Sequence, residues 1–190
     1  MGKRAFDIVL ASLGIILMAP LIAAIALALA IERRGPVFYR SPRLGRGGRI
    51  FRLTRFRTMV EAPPEVSSGA RLTAVGRFIR TYSLDDLPSL YHVLRGDLSL
   101  VGPRPMEPEH VDLADLAWLR ILSVRPGYVS YAILTLGNAY NGSDTTVRQR
   151  LELEYVQRQS VIFDLRILAR VLAAHLRSRG NIKLHGKPQL

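Results

Sequence analysis

The sequence predicts an α+β fold that is mostly helical, with a proline-broken membrane helix at the N-terminus, a small β-hairpin and amphipathic helices suited to a membrane interface. Three observations predict this class: an uncharged run over residues 8–31, two β-type segments around a glycine-rich loop, and helical periodicity beyond residue 147. The 190 residues, 48% of them hydrophobic, suffice for one buried core. We therefore expect a membrane anchor over residues 1–34 and one continuous domain over residues 35–190.

The uncharged run is long enough to cross a membrane. It contains 24 residues, and at about 1.5 Å per residue a helix of this length matches a bilayer core of about 30 Å. The run also exceeds the apolar region of a signal peptide, and it is closed by Arg33 and Arg34 rather than by a small-residue cleavage site. Membrane insertion is therefore the favoured interpretation.

Pro20 lies at the middle of this run and leaves two paths through the membrane open. One is a kinked helix that spans the bilayer, because membrane helices tolerate proline. The other is a re-entrant helix that enters and leaves by the same face. Basic residues flank both ends of the run: Lys3, Arg4, Arg33 and Arg34. Since positive charge marks the cytoplasmic side, re-entry with the break at Pro20 is favoured.

The β-hairpin is predicted from residues 37–39 and 50–53, joined by a loop over residues 43–48. The remaining predictions follow in chain order: a surface loop at 61–69, an interrupted helix at 72–94, an extended turn at 102–105, an amphipathic helix at 111–122, an irregular region at 125–146 and helix over 147–179. The apolar stripe of the last helix consists of Ile162, Leu165, Leu168, Ala169, Leu172 and Leu176. It suits either a core contact or a helix lying on anionic lipid.

The charge balance indicates an anionic partner. The chain carries 27 Lys and Arg against 15 Asp and Glu, a formal net charge of +12, which suits nucleic acid, acidic lipid or a phosphorylated substrate. No helix-turn-helix, zinc spacing or ribonucleoprotein signature is present in the sequence, so nucleic acid is not the expected partner. The absence of cysteine excludes disulfides, thiolate metal sites and a cysteine nucleophile.

The adjacent acids Asp85 and Asp86 are the strongest candidates for chemistry, although local pattern leaves two interpretations. Ser83 followed by Asp86 resembles a capping box at a helix start. Alternatively, one ionised aspartate attacks phosphorus while the other holds a metal ion. Arg80 would then lower the pKa of a carboxyl group and contact a substrate phosphate.

The stretch from Leu84-Asp85-Asp86-Leu87-Pro88 to Gly102-Pro103-Arg104-Pro105 closely resembles the bacterial sugar transferases, the small monotopic phosphoglycosyl transferases. Further landmarks match in order along nearly the whole chain: Lys3-Arg4-x-Phe6-Asp7, Gly35-Pro36-Val37-Phe38-Tyr39, Phe56-Arg57-Thr58-Met59, Arg71-Leu72-Thr73, Arg125-Pro126-Gly127 and Phe163-Asp164-Leu165.

This resemblance implies transfer of a sugar-1-phosphate from a nucleotide diphosphate sugar, with UDP-sugars the first expectation, to polyprenol phosphate. Such a reaction is a first membrane step of glycoconjugate or exopolysaccharide assembly, at the cytoplasmic face of the bacterial inner membrane. Asp85 would be the covalent nucleophile and Asp86 would bind Mg²⁺. Arg80, Arg104 and Arg55 would contact the substrate phosphates. The expected partners are the two substrates and the membrane, and the resemblance leaves open whether the protein forms a homodimer.

Three departures from the family pattern bear on activity. Asp86 stands where glutamate is usual, Arg55 stands where lysine is usual, and residues 128–133 differ from the usual sequence after Arg125-Pro126-Gly127. They motivate an alternative function, a catalytically weakened membrane-anchored scaffold of polysaccharide assembly.

Overall fold

The computed structural model describes residues 2–61, 63, 67 and 69–177. Most of the predicted loop at 61–69, and the end of the last predicted helix beyond residue 177, lie outside the described residues. The helices are α1 (Gly2–Glu32), α2 (Ala74–Thr81), α3 (Leu90–Arg95), α4 (Leu116–Ile121), α5 (Tyr131–Leu136), α6 (Thr145–Arg158) and α7 (Val161–Arg177). The strands are β1 (Phe38–Leu44), β2 (Ile50–Phe56), β3 (Ser99–Val101) and β4 (Gly127–Val129).

The predicted hairpin is confirmed, and it is longer than expected. β1 and β2 pair antiparallel, with Phe38 opposite Phe56 and Leu44 opposite Ile50. The connecting turn contains Gly47 at φ 68°, a backbone conformation that favours glycine. Seven residues of each strand therefore form a rigid ribbon.

A second sheet was not predicted. β3 and β4 pair in parallel, with Ser99 opposite Gly127 and Val101 opposite Val129. The backbones are so close that a Cβ atom on Gly127 would lie 2.1 Å from the Gly102 backbone nitrogen. The prediction that residues 125–146 are irregular is therefore wrong for β4 and α5. Strands of three residues are too short to show an alternating pattern in sequence.

Helix α1 contacts the rest of the chain near both of its ends. Near its start, Ala11 belongs to the main core with Val93 and Tyr155. Near its end, Ile25 and Leu29 pack with a second group of buried side chains: Phe56, Ile79 and Leu87. Between these contacts the helix exposes large apolar side chains, including Ile16 at 69% and Leu17 at 62%.

Of the described helices, α1 is long and apolar enough to cross a membrane, and little of it is buried. Pro20 lies inside this helix, which continues from Gly2 to Glu32. The predicted break at Pro20 is thus not an interruption of the helix. Proline removes a single backbone hydrogen bond, and the bonds of the adjoining turns can carry the helix past it.

The last helical region confirms the helix prediction but exposes most of the predicted apolar stripe. α6 and α7 are separated at Gln159 and Ser160, and α7 buries Phe163, Asp164 and Ile167. Ile162, Leu165 and Leu172 are exposed at 65%, 49% and 62%. The core-contact interpretation of that stripe is therefore wrong for these three residues. The interrupted helix at 72–94 is confirmed as α2, a 3₁₀ turn and α3, whereas α4 covers only part of the predicted 111–122 helix.

Candidate active site

Asp85 and Asp86 lie on a buried 3₁₀ turn, Leu84–Ser89, between α2 and α3. Their exposed fractions are 4% and 1%. Ser83 precedes the turn in the left-handed region at φ 55° and makes no side-chain cap hydrogen bond to it. Such a conformation in a non-glycine residue is costly and concentrates at functional sites. The capping-box interpretation is therefore wrong for Ser83, because a cap residue has an extended backbone and its side chain bonds to the first turn.

The hairpin supplies the first cation of the site. Arg55, on β2 opposite Tyr39, places its Nε 2.9 Å from Oδ1 of Asp86. This ion pair is almost fully removed from solvent on the aspartate side. Arg55 thus contacts Asp86, the second acid of the predicted pair.

Helix α2 supplies the second cation, Arg80, in its last turn. Burial lowers the pKa of Arg80, while the charges of Asp85 and Asp86 act in the opposite direction. The Arg80 Nη1 atom is buried and has no hydrogen-bond partner. A guanidinium donor held in this way is suited to a phosphate oxygen.

The N-terminus of α2 is fixed from two directions. Thr73 Oγ1 accepts a hydrogen bond from Gly76 N at 2.9 Å, and Glu32 Oε1 accepts one from Ala74 N at 3.0 Å. Because Glu32 ends α1, this long apolar helix directly positions the helix that carries Arg80.

Arg104 supplies the third cation from the segment after β3. Its backbone N donates to Glu152 Oε1 at 3.0 Å, and the Ser130 hydroxyl donates to the same oxygen at 2.8 Å. Its guanidinium lies 4.8 Å from the ring centroid of Tyr140. Burial lowers the pKa of Arg104. We call the five predicted site residues, Arg55, Arg80, Asp85, Asp86 and Arg104, the acid–arginine cleft.

Two functional candidates were missed by sequence reasoning. Tyr128 lines the same small cavity as Arg55, Asp86 and Arg104, and burial, followed by the charges of Asp86 and Asp85, raises its pKa. Glu152 is 3% exposed, and burial raises its pKa to about 7. Position 128 was noted only as a departure from the family pattern, and Glu152 is one of two glutamates on the polar helix α6, which gave no signal in the sequence.

A second buried polar pair supports the strand beneath Arg55. His92 Nε2 accepts a hydrogen bond from Thr54 N at 3.1 Å, and its Nδ1 lies 3.0 Å from Asp97 Oδ2. Asp97 also pairs with Arg95 at 3.3 Å. His92 and Asp97 therefore support β2 and do not join the paired acids.

The residues present fit a magnesium ion only together with a substrate. The described part of the chain contains no group of three or more His, Cys, Asp and Glu side chains placed to hold a metal. Mg²⁺ is commonly bound by one or two carboxylates plus substrate phosphates. Asp85 and Asp86 provide carboxylates of this kind, and a donor diphosphate would provide the remaining oxygens.

Comparison with known proteins places these features in context. A family model described as bacterial sugar transferase matches residues 1–178. An undecaprenyl-phosphate glucose phosphotransferase of Komagataeibacter xylinus is 34% identical over 93% of this chain and 36% of its own length. The exopolysaccharide production protein ExoY of Rhizobium meliloti (strain 1021) is 33% identical over 95% of this chain and 88% of its own length.

A third relative is a UDP-glucose:undecaprenyl-phosphate glucose-1-phosphate transferase of Caulobacter vibrioides. It is 37% identical over 92% of this chain and 69% of its own length. The chain thus spans about a third of the Komagataeibacter protein and most of the other two.

Proposed function

The chain belongs to the bacterial sugar transferase family, and we propose that it transfers a sugar-1-phosphate from a nucleotide diphosphate sugar to polyprenol phosphate. The observation that carries this proposal is the acid–arginine cleft, where two adjacent buried carboxylates meet three guanidinium groups from separate parts of the fold. Two of the relatives are named for transfer of glucose or glucose-1-phosphate to undecaprenyl phosphate. A UDP-sugar is accordingly the first donor to test.

The reaction proceeds in two displacements at phosphorus. A carboxylate oxygen of Asp85 attacks the sugar-bearing phosphorus, and the bond from that phosphorus to the bridging oxygen breaks. A nucleoside monophosphate leaves with the bond's electron pair. A phosphate oxygen of polyprenol phosphate then attacks the same phosphorus and displaces Asp85. The products are polyprenyl diphosphate-sugar and the regenerated carboxylate.

The arginines hold the diphosphate for this attack. Arg80 and Arg104 are partly buried cations whose guanidinium donors match phosphate oxygens. Arg55 orients Asp86 through the 2.9 Å ion pair. Fixed positive groups of this kind stabilise the negative charge that builds up during phosphoryl transfer.

Asp86 is the residue proposed to hold Mg²⁺, with the donor's phosphates as further ligands. The bound ion would neutralise charge on the diphosphate and leaving group. The departure from glutamate at position 86 motivates the alternative function, a weakened scaffold. The buried pairing of Asp86 with Arg55 favours an active site instead, because a scaffold has no need of a desolvated carboxylate.

The anchor is proposed to be re-entrant. Asp7, near the start of α1, accepts a hydrogen bond from Leu100 N at 3.2 Å, and Glu32, at its end, accepts one from Ala74 N at 3.0 Å. A spanning helix would carry one end to the opposite side of the bilayer and would break one of these contacts. Entry and exit on the cytoplasmic face, with the continuous helix bent at Pro20, preserve both contacts. They also bring the cleft to the level of a lipid-borne acceptor.

The exposed apolar residues of α7, Ile162, Leu165 and Leu172, are proposed to rest on the same membrane face. Helices with an apolar stripe beside basic residues bind the interface of anionic bilayers. Arg166 and Arg170 are exposed on the same helix. α1 and α7 would then both hold the protein at the membrane, and the acid–arginine cleft would face the membrane surface.

Release of nucleoside monophosphate tests the reaction. Purified protein is incubated with Mg²⁺, polyprenol phosphate and a panel of nucleotide diphosphate sugars. We expect release from at least one UDP-sugar, together with a phosphosugar adduct detected by intact mass. Absence of release across the panel contradicts the proposed function and favours the scaffold.

Cysteine accessibility tests the topology. The chain has no natural cysteine, so Gly2→Cys and Arg34→Cys can be probed separately with an impermeant thiol reagent on intact spheroplasts. Position 34 is preferred to Gly35, where φ is 129° and a Cβ atom would collide with Arg57. Both cysteines should be protected until the membrane is opened. Labelling of position 2 alone contradicts re-entry.

A further inference from the structure

A cavity of about 410 Å³ opens beside the acid–arginine cleft, and the reaction described above gives it no role. The lining residues that matter here are Arg43, Arg104, Trp118, Tyr140, Arg148 and Glu152. Arg104 also lines the small cavity that contains Asp86. A ligand whose phosphates are held by Arg104 can therefore extend into the larger cavity.

Three polar atoms of the cavity-lining residues are buried without a hydrogen-bond partner: Arg43 Nε, Arg148 Nε and Glu152 Oε2. Glu152 is 3% exposed, and its other carboxylate oxygen is already bonded to Arg104 N and the Ser130 hydroxyl. Buried polar groups are normally paired, and exceptions call for a ligand, an ion or water. These atoms offer a ligand two donors and one acceptor.

The same cavity has a flat, cationic wall. Tyr140 is 3% exposed, and two guanidinium groups lie over its ring, Arg104 at 4.8 Å and Arg148 at 5.5 Å. Guanidinium planes and aromatic rings are the surfaces on which nucleobases stack. A monosaccharide offers no planar π surface to such a wall.

The position of the cavity also distinguishes the two halves of a nucleotide sugar. The main packing partners of α1 are α2, α3, β3, α7 and the turn that carries Asp85. The cavity is built instead from β1, residues 104–110, α4, residues 140–141 and α6. The sugar phosphate is transferred to a lipid and therefore belongs on the side of α1. The nucleoside monophosphate is released into water and therefore belongs on the side of the cavity.

We infer that this cavity is the nucleoside subsite of the donor, with Glu152 Oε2 accepting a hydrogen bond from the nucleoside and Arg148 Nε donating one. This inference rests on the proposed function, because it assigns one half of the proposed donor. The base stacks on the wall formed by Arg148, Tyr140 and Arg104. Arg104 joins the subsite to the diphosphate.

Equilibrium binding of UMP and of glucose 1-phosphate to the full chain tests the assignment. Arg148→Met should weaken UMP binding by about tenfold or more, and Glu152→Gln should weaken it by a smaller factor. Both variants should bind glucose 1-phosphate like the parent protein, because its phosphate lies in the acid–arginine cleft. Arg150→Met is the matched control, since Arg150 is an exposed arginine on the same helix, and its UMP affinity should equal that of the parent.

The outcomes separate this inference from the proposed function. Parent-like UMP binding by both variants overturns the subsite while nucleoside monophosphate release continues. Weakened binding of glucose 1-phosphate with unchanged UMP binding also overturns it and assigns the cavity to the sugar. Failure of the parent protein to release nucleoside monophosphate from any donor overturns the proposed function itself, and the subsite with it.

Discussion

The molecule buries pairs of carboxylates in two places and surrounds them differently. In the acid–arginine cleft, Asp85 and Asp86 face three guanidinium groups. Near the start of helix α1 a second group is formed by Lys3, Asp7, Tyr155 and Asp164, and we call it the anchor-root cluster. There Asp7 accepts from Ser99 Oγ at 2.8 Å. Asp164 pairs with Lys3 and accepts from the Tyr155 hydroxyl at 2.8 Å.

The cleft and the anchor-root cluster differ in their balance of positive and negative charge. In the anchor-root cluster one ammonium group serves two carboxylates, and neighbouring hydroxyl and backbone donors supply the remaining bonds. In the cleft the guanidinium groups outnumber the carboxylates, so positive charge is left for an anion. Burial alone therefore does not identify a catalytic acid. An excess of fixed positive charge next to a cavity marks a site suited to an anionic ligand.

The largest expected effect separates chemistry from folding in the cleft. Asp85→Asn should reduce turnover by about 10⁴-fold or more, because a carboxamide cannot attack phosphorus. Because asparagine has nearly the size of aspartate, the variant should still fold and melt cooperatively. Initial rates of nucleoside monophosphate release and a melting curve test the two halves of this prediction. Residual activity above about 1% would exclude Asp85 as the nucleophile.

The anchor-root cluster should respond in the opposite way. Lys3→Met leaves Asp7 and Asp164 buried without their ammonium partner, and loss of one member of a buried ion pair typically costs about 3–5 kcal/mol. We expect a large fall in melting temperature in detergent, with the turnover of the remaining folded protein near normal. Arg166→Met removes an exposed charge from the helix that carries Asp164 and should melt like the parent protein. A stable but inactive Lys3→Met variant would contradict the structural role.

The comparison also shows what the sequence could and could not predict. The hairpin and the paired acids were predictable because alternation, turn glycines and adjacent carboxylates are local signals. Of the three arginines, Arg80 was named from its nearness to the paired acids in sequence, whereas Arg55 and Arg104 were named only through the family resemblance. The convergence of the three arginines depends on the packing of β2 and α2 against the turn that carries the acids. For Arg104 it depends on the segment after β3, a strand that pairs in parallel with β4. Such long-range pairing leaves no local pattern.

Residues whose hydrogen-bond partners are distant in sequence were the least predictable. Glu152 is buried because Ser130 and the Arg104 backbone meet it from two other segments, and in sequence it is one more acid on a polar helix. The apolar stripe of α7 was left with two interpretations, a core contact or a lipid contact, for a related reason. Periodicity identifies an apolar stripe such as Ile162 and Leu165, but it does not say whether protein or membrane covers that stripe.

Glu152 gives a prediction about pH that the cleft aspartates do not. Burial raises its pKa from 4.5 to about 7. Between pH 4.5 and about 7 the Glu152 carboxyl group is therefore protonated in the native state and ionised in the unfolded chain. The bound proton stabilises the native state at low pH, and this stabilisation is lost as the pH rises to about 7. Glu152→Gln removes the titration, so its melting temperature relative to the parent should rise between pH 5 and pH 8, by an amount that corresponds to about 1–3 kcal/mol.

Differential melting curves at the two pH values measure this effect. Burial also raises the pKa of Asp164, but that group is the same in both proteins and cancels in the difference. A melting-temperature difference that does not change with pH would show that Glu152 ionises in the native state as it does in the unfolded chain.

The smallest expected effect compares one added methylene in the two regions. Asp86→Glu keeps the carboxylate beside Arg55, and it restores the residue usual in the family. Activity should therefore stay within about tenfold of the parent, or about 1.4 kcal/mol on the barrier. Asp7→Glu makes the same change in an equally buried carboxylate. In the closed anchor-root cluster the extra atom has to be accommodated by strain, so it should cost about 1–3 kcal/mol of stability instead.

Asp86→Ala completes this test by removing the carboxylate altogether. If Asp86 holds the metal, the alanine variant should require much more Mg²⁺ or should lose activity, as a titration of initial rate against Mg²⁺ concentration would show. Normal activity with normal magnesium dependence would restrict Asp86 to its ion pair with Arg55. Asp85 would then be the one cleft acid with a chemical role, and Asp86 would be structural, like the acids of the anchor-root cluster.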